Sequence, residues 1–76
     1  MTLNLLIQEI PWNKKMEVLR VVKGWKQQIA AEMCGTNQKG YWLWETGKSY
    51  PHFNNRKAIA SAFDVSVEEI FGEGLK

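Results

Sequence analysis

The sequence predicts an all-α domain built from five short helices, and three features of the chain carry that expectation. Gly24, Gly35, Gly47 and Pro51 cut it into pieces of helical length. Within the pieces, apolar residues recur three and four positions apart, the spacing of one face of an α-helix. Beyond the first ten residues no convincing period-two alternation appears, so a sheet has little to be built from.

Asn13, after Pro11-Trp12, is placed to cap a first helix running to about Lys23, with Met16, Leu19 and either Val22 or the Lys23 stem on its buried stripe. Gly24 ends it by taking a left-handed conformation. A second helix spans about Lys26 to Cys34, with Ile29, Ala30, Met33 and Cys34 as its apolar positions, and Gly35 stops it. Thr36 or Asn37 can cap a third helix that continues to about Glu45, where Thr46-Gly47-Lys48 signals a loop. Pro51 disfavours helix at Tyr50. A fourth helix follows from Phe53 to Phe63 with Ile59, Ala60 and Phe63 inward. Ser66-Val67-Glu68-Glu69 is a capping-box pattern leading into a fifth helix that buries Ile70 and Phe71.

At 76 residues the chain has room for one domain, assigned to residues 12–76, with 1–11 as an N-terminal arm. Leu3, Leu6, Ile7 and Ile10 fit a helical stripe in that arm; Leu3, Leu5 and Ile7 fit a strand edge. Such aliphatic density needs cover, from the domain itself or from a partner. The apolar start lacks a basic flank and is broken by Asn4, Gln8 and Glu9, unlike a secretory leader, and it is too short to span a bilayer. Cys34 is the sole cysteine, which forbids an internal disulfide and fits a reducing cytoplasm. It reads as a small core residue. His52 is likewise the only histidine, so a metal role is not expected. No nucleophile–base pair, carboxylate constellation or phosphate-cradling glycine loop is evident, so neither an enzyme, a cofactor nor a small-molecule substrate is expected.

Net charge is only +2, but it is unevenly spread. Lysines and arginines populate the chain up to Lys57, while Asp64, Glu68, Glu69 and Glu73 crowd the end. That polarity would let one face meet phosphates. The stretch Ala31 to Trp44 is the most informative. Ala31 allows two helices to cross closely, Gly35 suits the sharp turn between them, and Tyr41 and Trp44 would anchor the later helix on the earlier one. Asn37, Gln38 and Lys39 are then left pointing outward at the start of a protruding helix. Amides can pair with adenine and lysine can donate to guanine, as a major-groove helix requires.

From about Met16 to Phe71 the sequence resembles the Cro/C1-type (Xre-like) helix-turn-helix family of phage and bacterial repressors. The resemblance lies in Leu19 to Ala31, Trp44 to Pro51 and Ala58 to Phe71, in the family's order and spacing. It implies a compact five-helix, lambda-repressor-like domain that binds double-stranded DNA as a transcriptional regulator. By that likeness Gln27, with Lys26 beside it, would bond a phosphate, and Gln38, Lys39 and Leu43 would face bases. Thr46, Lys48 and the backbone amides near His52 and Phe53 would hold further phosphates, His52 itself being placed for another such contact. Arg20 and Glu45 match a charged pair tying the first helix to the end of the third. A homodimer would set two such helices about 34 Å apart on a palindromic operator.

Four residues depart from the family, the first being Ala30, which replaces the usual larger aliphatic residue and leaves space for Trp25 or Trp44 to fill. Gly40 sits inside the recognition helix, where glycine costs about 1 kcal/mol against alanine. Leu43 stands where a polar reader is frequent. Trp42 is bulky for an exposed position: it is either a partner-binding anchor or is covered by residues 1–11. Trp25 and Trp44 read as core, and Trp12 as core or as a clamp on the arm. The competing function is a protein-interaction module on the same fold, such as an antitoxin or regulatory partner, using Trp42, Leu43 and the arm.

Overall fold

A computed structural model describes residues 10–72. Five α-helices are present: α1 Trp12–Lys23, α2 Gln27–Met33, α3 Gln38–Glu45, α4 Phe53–Ala62 and α5 Val67–Phe71. The described residues contain no strand. Helix α2 packs on α3 and α4, α1 packs on α3 and α5, and α4 closes on α5. The arm proposed from sequence falls, except for Ile10 and Pro11, outside the described residues, as does Glu73.

The ends of α1 to α4 share one solution to the unpaired carbonyls of a last helical turn. At α2 the N–H of Gly35 bonds the carbonyl of Glu32 at 3.1 Å and that of Thr36 reaches back to Ala31 at 2.9 Å, the Schellman pair. Gly35 holds φ at 80°, a left-handed value that costs any residue with a Cβ. Equivalent pairs close α1, α3 and α4, and at α4 the left-handed position is taken by Asp64 at φ 60°. Asp64 also binds Lys23 Nζ at 2.8 Å, tying the end of α1 to the end of α4.

The helix starts differ in part from expectation. Asn13 does not cap α1: the helix begins two residues earlier than that cap would place it, Pro11 is the N-cap, and its carbonyl accepts the Lys15 N–H at 2.9 Å. Proline suits the site because its own missing N–H would have had no helical partner. Asn13 is instead released to bond across the domain. Asn37, rather than Thr36, caps α3 by accepting the Gly40 N–H at 2.8 Å. Ser66 accepts the Glu69 N–H at 3.2 Å, so the capping box is made in one direction.

The core is assembled from Met16 on α1, Ala30, Ala31 and Cys34 at α2, Tyr41 and Trp44 on α3, Ile59, Ala60 and Phe63 at α4, and Ile70 and Phe71 on α5. Two expected positions on α2 face solvent instead, Ile29 being 40% and Met33 54% exposed. The core side of α2 is the small-residue stripe, because α3 crosses too near for larger side chains. Val22 is also exposed, and Leu19 is half-buried against the core. Trp12 packs on Phe71 and meets Tyr50 edge-on, ring centroids 5.9 and 5.1 Å away, which seals the start of α1. Trp25 is half-buried and stacks on Phe63 at 5.7 Å.

Candidate nucleic-acid interface

Helix α3 is too short to be stable alone, so its orientation is set by what it buries. Tyr41 is fully buried and Trp44 is 7% exposed, their rings meeting edge-on at 6.3 Å. Both turn toward Ala30, Ala31 and Cys34 in the core. Burial pushes the Tyr41 hydroxyl well above its ordinary range, with the Glu45 carboxylate adding to the effect. Burial alone pushes the Cys34 thiol up to about 12, so it is a packing residue and not a nucleophile. With Tyr41, Trp44 and Glu45 inward, Gln38 and Lys39 are left exposed on the opening turn of α3.

The remaining residues of α3 divide by position. Asn37 is exposed, but its Oδ1 is occupied by the cap, leaving the Nδ2 amide hydrogens for an outside acceptor. Leu43 is half-buried at the edge of the packed face. Gly40 has a local cause: a Cβ there would lie 2.7 Å from Thr36 Oγ1 and 3.2 Å from Asn37 Oδ1, in space the cap already fills. Trp42 is 40% exposed and is not covered by any described residue to the extent expected of a core tryptophan. With Gln27, Gln38 and Lys39 it lines an open concavity on the outer side of α2 and α3.

Glu45 is the hinge between this surface and the fold. Its side chain is 4% exposed, against 16% for Arg20. Arg20 donates from Nε to Glu45 Oε2 at 2.6 Å and from Nη2 to Oε1 at 3.2 Å. The guanidinium is held protonated above its ordinary range, chiefly by this bond. Its Nη1 also donates to the Trp25 carbonyl at 3.0 Å, fixing the turn after α1. Gln27 Nε2 donates to Glu45 Oε1 at 3.0 Å, and Asn13 Nδ2 to the Glu45 carbonyl at 3.0 Å. One carboxylate and its own backbone thus clamp α1, α2 and the end of α3.

The residues named from sequence as phosphate contacts are distributed around α3. Lys26 is exposed as the N-cap of α2. Gln27 spends one amide hydrogen on Glu45, so its second hydrogen points from a fixed base instead of a free side chain. Thr46 Oγ1 donates to the Trp42 carbonyl at 2.9 Å, which leaves it an acceptor unless a ligand draws the hydroxyl away. Lys48 is exposed, with Nζ over the Trp42 ring at 5.9 Å. His52 is exposed as the N-cap of α4, next to the unpaired N–H groups of that helix's first turn. The concavity brings Gln27, Gln38, Lys39 and Trp42 together; Thr46, Lys48 and His52 lie beyond it along the chain's path from α3 to α4.

Sequence reasoning gave Arg56 no role. Its Nη1 donates to the Pro51 carbonyl at 2.8 Å, and its guanidinium lies 5.1 Å from the Tyr50 ring and 5.5 Å from that of Phe53. It therefore shapes the loop that presents His52 to solvent. A lone arginine in a basic run carries no signal of such a contact.

Over 65 residues the chain is 34% identical to the HTH-type transcriptional activator BcrR of Enterococcus faecalis, covering 84% of this chain. The similarity supports a helix-turn-helix regulator. The chain spans about a third of that relative's length, 32%. No protein-family model and no solved structure matches it. The relative's name is that of a regulator and not of an enzyme. Among the described residues no helix is long and apolar enough to cross a membrane.

Proposed function

We propose that this chain binds double-stranded DNA sequence-specifically, entering the major groove with the N-terminal turn of α3, as a transcriptional regulator of the Cro/C1 (Xre-like) kind. The observation that carries the reading is the partition of α3. Tyr41, Trp44 and Glu45 are buried while Gln38 and Lys39 are exposed on the turn that would meet base edges. Asn37 Nδ2 and Leu43 flank them, the latter able to touch a thymine methyl. Lys26, the free hydrogen of Gln27, Lys48 and the start of α4 at His52 supply phosphate contacts, and Thr46 supplies one if its hydroxyl turns. Two copies would occupy a palindromic operator, acting by blocking or recruiting polymerase.

Selection of bound duplexes from a random pool tests this. A symmetric enriched site is expected. Replacing both Gln38 and Lys39 by alanine should relax preference at a few base pairs, each worth about 1–3 kcal/mol, and lower the salt dependence of binding. An unchanged site and salt slope would sink the assignment. A second reading, an interaction module for another protein, draws on the exposure of Ile29 and Met33, which share one side of α2. Failure to enrich any duplex would favour it.

A further inference from the structure

We infer that Trp42 is a positioning residue for a DNA phosphate contact, acting through Lys48; the inference rests on the duplex-binding reading above. Trp42 lies on α3 one turn after Gln38, borders the concavity shared with Gln27 and Lys39, and remains 40% exposed. Lys48 stands in the loop that follows α3, with its Nζ 5.9 Å from the centre of the Trp42 ring. The negative face of the indole attracts the ammonium, and so restrains a side chain that would otherwise sample many rotamers. An exposed indole has little reason to sit among a lysine, two glutamines and a further lysine unless something covers it. The lining, the Lys39 ammonium and two amide side chains with no carboxylate among them, together with the Lys48 ammonium reaching over Trp42 from the following loop, matches a sugar–phosphate strand. The indole would lie against deoxyribose, the ammonium at the neighbouring phosphate oxygen. Leaving the ring with the ammonium above it forms that pair before DNA arrives, so less freedom is lost on binding.

The test is a double-mutant cycle on the full chain, W42A, K48Q and both together, with binding to a random-sequence duplex of about 20 base pairs read by anisotropy at low salt. A random duplex isolates strand contacts from base reading. K48Q should weaken binding about fivefold when Trp42 is present and less than twofold when it is alanine, with W42F keeping most of the larger effect. Circular dichroism of W42A should remain helical, and if W42A unfolds then W42L, which keeps apolar bulk without an aromatic face, takes its place in the cycle. Equal K48Q penalties in both backgrounds overturn the inference while leaving duplex binding intact. Binding unaffected by W42A and W42F also overturns it, and makes Trp42 an anchor for a protein partner. If the unsubstituted chain binds no duplex, the proposed function falls and this inference with it.

Discussion

Removing the Glu45 carboxylate is the sharpest probe of how fold and interface are joined. In E45A the Arg20 guanidinium keeps its bond to the Trp25 carbonyl but loses both bonds to carboxylate. Breaking a buried pair from one side costs about 3–5 kcal/mol. Arg20 is 16% exposed and can take some water, which places E45A near the bottom of that range, about 3 kcal/mol. R20A is the harsher change, because it strands the 4% exposed carboxylate with only the Gln27 amide for company: about 4–5 kcal/mol. For a chain of 76 residues, total stability is about 4–11 kcal/mol, so R20A comes close to unfolding the domain. Urea unfolding at neutral pH, followed by far-ultraviolet circular dichroism and tryptophan fluorescence, measures both. Raising salt from 0.1 M to about 1 M should change neither difference much, since a buried pair is poorly screened. A cost below about 1 kcal/mol for E45A, or an E45A variant less stable than R20A, would refute the reasoning from relative burial.

Gly35→Ala should cost about 1–2 kcal/mol although the new methyl would touch nothing within 4 Å, because the penalty lies in φ alone; Gly35→Asn should cost less, and equal losses in urea unfolding would refute this. Gly40→Ala should fail to deliver the usual gain of about 1 kcal/mol, since Thr36 Oγ1 stands 2.7 Å from the added carbon, and should recover it in a Thr36→Ala background. Additive unfolding energies across that cycle would exclude the crowding. Stability should fall as pH rises past 9.0, where the unfolded Cys34 thiol ionises while the folded one, pushed up to about 12, stays protonated. The unfolded chain then binds fewer protons, so the slope is negative, about 1.4 kcal/mol per pH unit, and it steepens beyond 10.0 as unfolded Tyr41 joins. Cys34→Ala should flatten the curve between those two values; an unaltered curve would assign the alkaline loss elsewhere.

Much of this architecture could be read from sequence because helix ends are local events. Gly24, Gly35 and Gly47 each sit where a Schellman bond pair needs a left-handed residue, so the breaks between helices were visible one residue at a time. The faces of short helices are a different matter. On α2 the pairs Ile29–Met33 and Ala30–Cys34 both satisfy a spacing of four, and seven residues are too few to choose between them. The choice is made by how near α3 comes, a tertiary fact. Asn13 illustrates the same limit: its residue type suits a cap, yet its partner is the Glu45 carbonyl, 32 residues away. The outward set Gln38 and Lys39 was legible only because Tyr41 and Trp44 left no other face for the core. That Gln27 would spend a hydrogen on Glu45, or that Lys48 would rise over Trp42, depends on two loops at once and has no signature in the chain.

The geometry gives α3 a division of labour that bears on how such an interface can change. Fixing a helix of eight residues requires continuous burial along one side, which Tyr41, Trp44 and Glu45 provide through their contacts with α2 and α1. None of these three needs a particular neighbour at positions 38, 39 or 42, whose side chains face solvent or the open concavity. Substitutions there should therefore alter what is bound while leaving stability near its starting value, within about 0.5 kcal/mol for exposed sites. Gln27 is the exception, since it belongs to both sets through Glu45. Replacing it should disturb the clamp, and, on the proposed duplex-binding reading, E45A should weaken DNA binding through Gln27 even at temperatures where the variant remains folded.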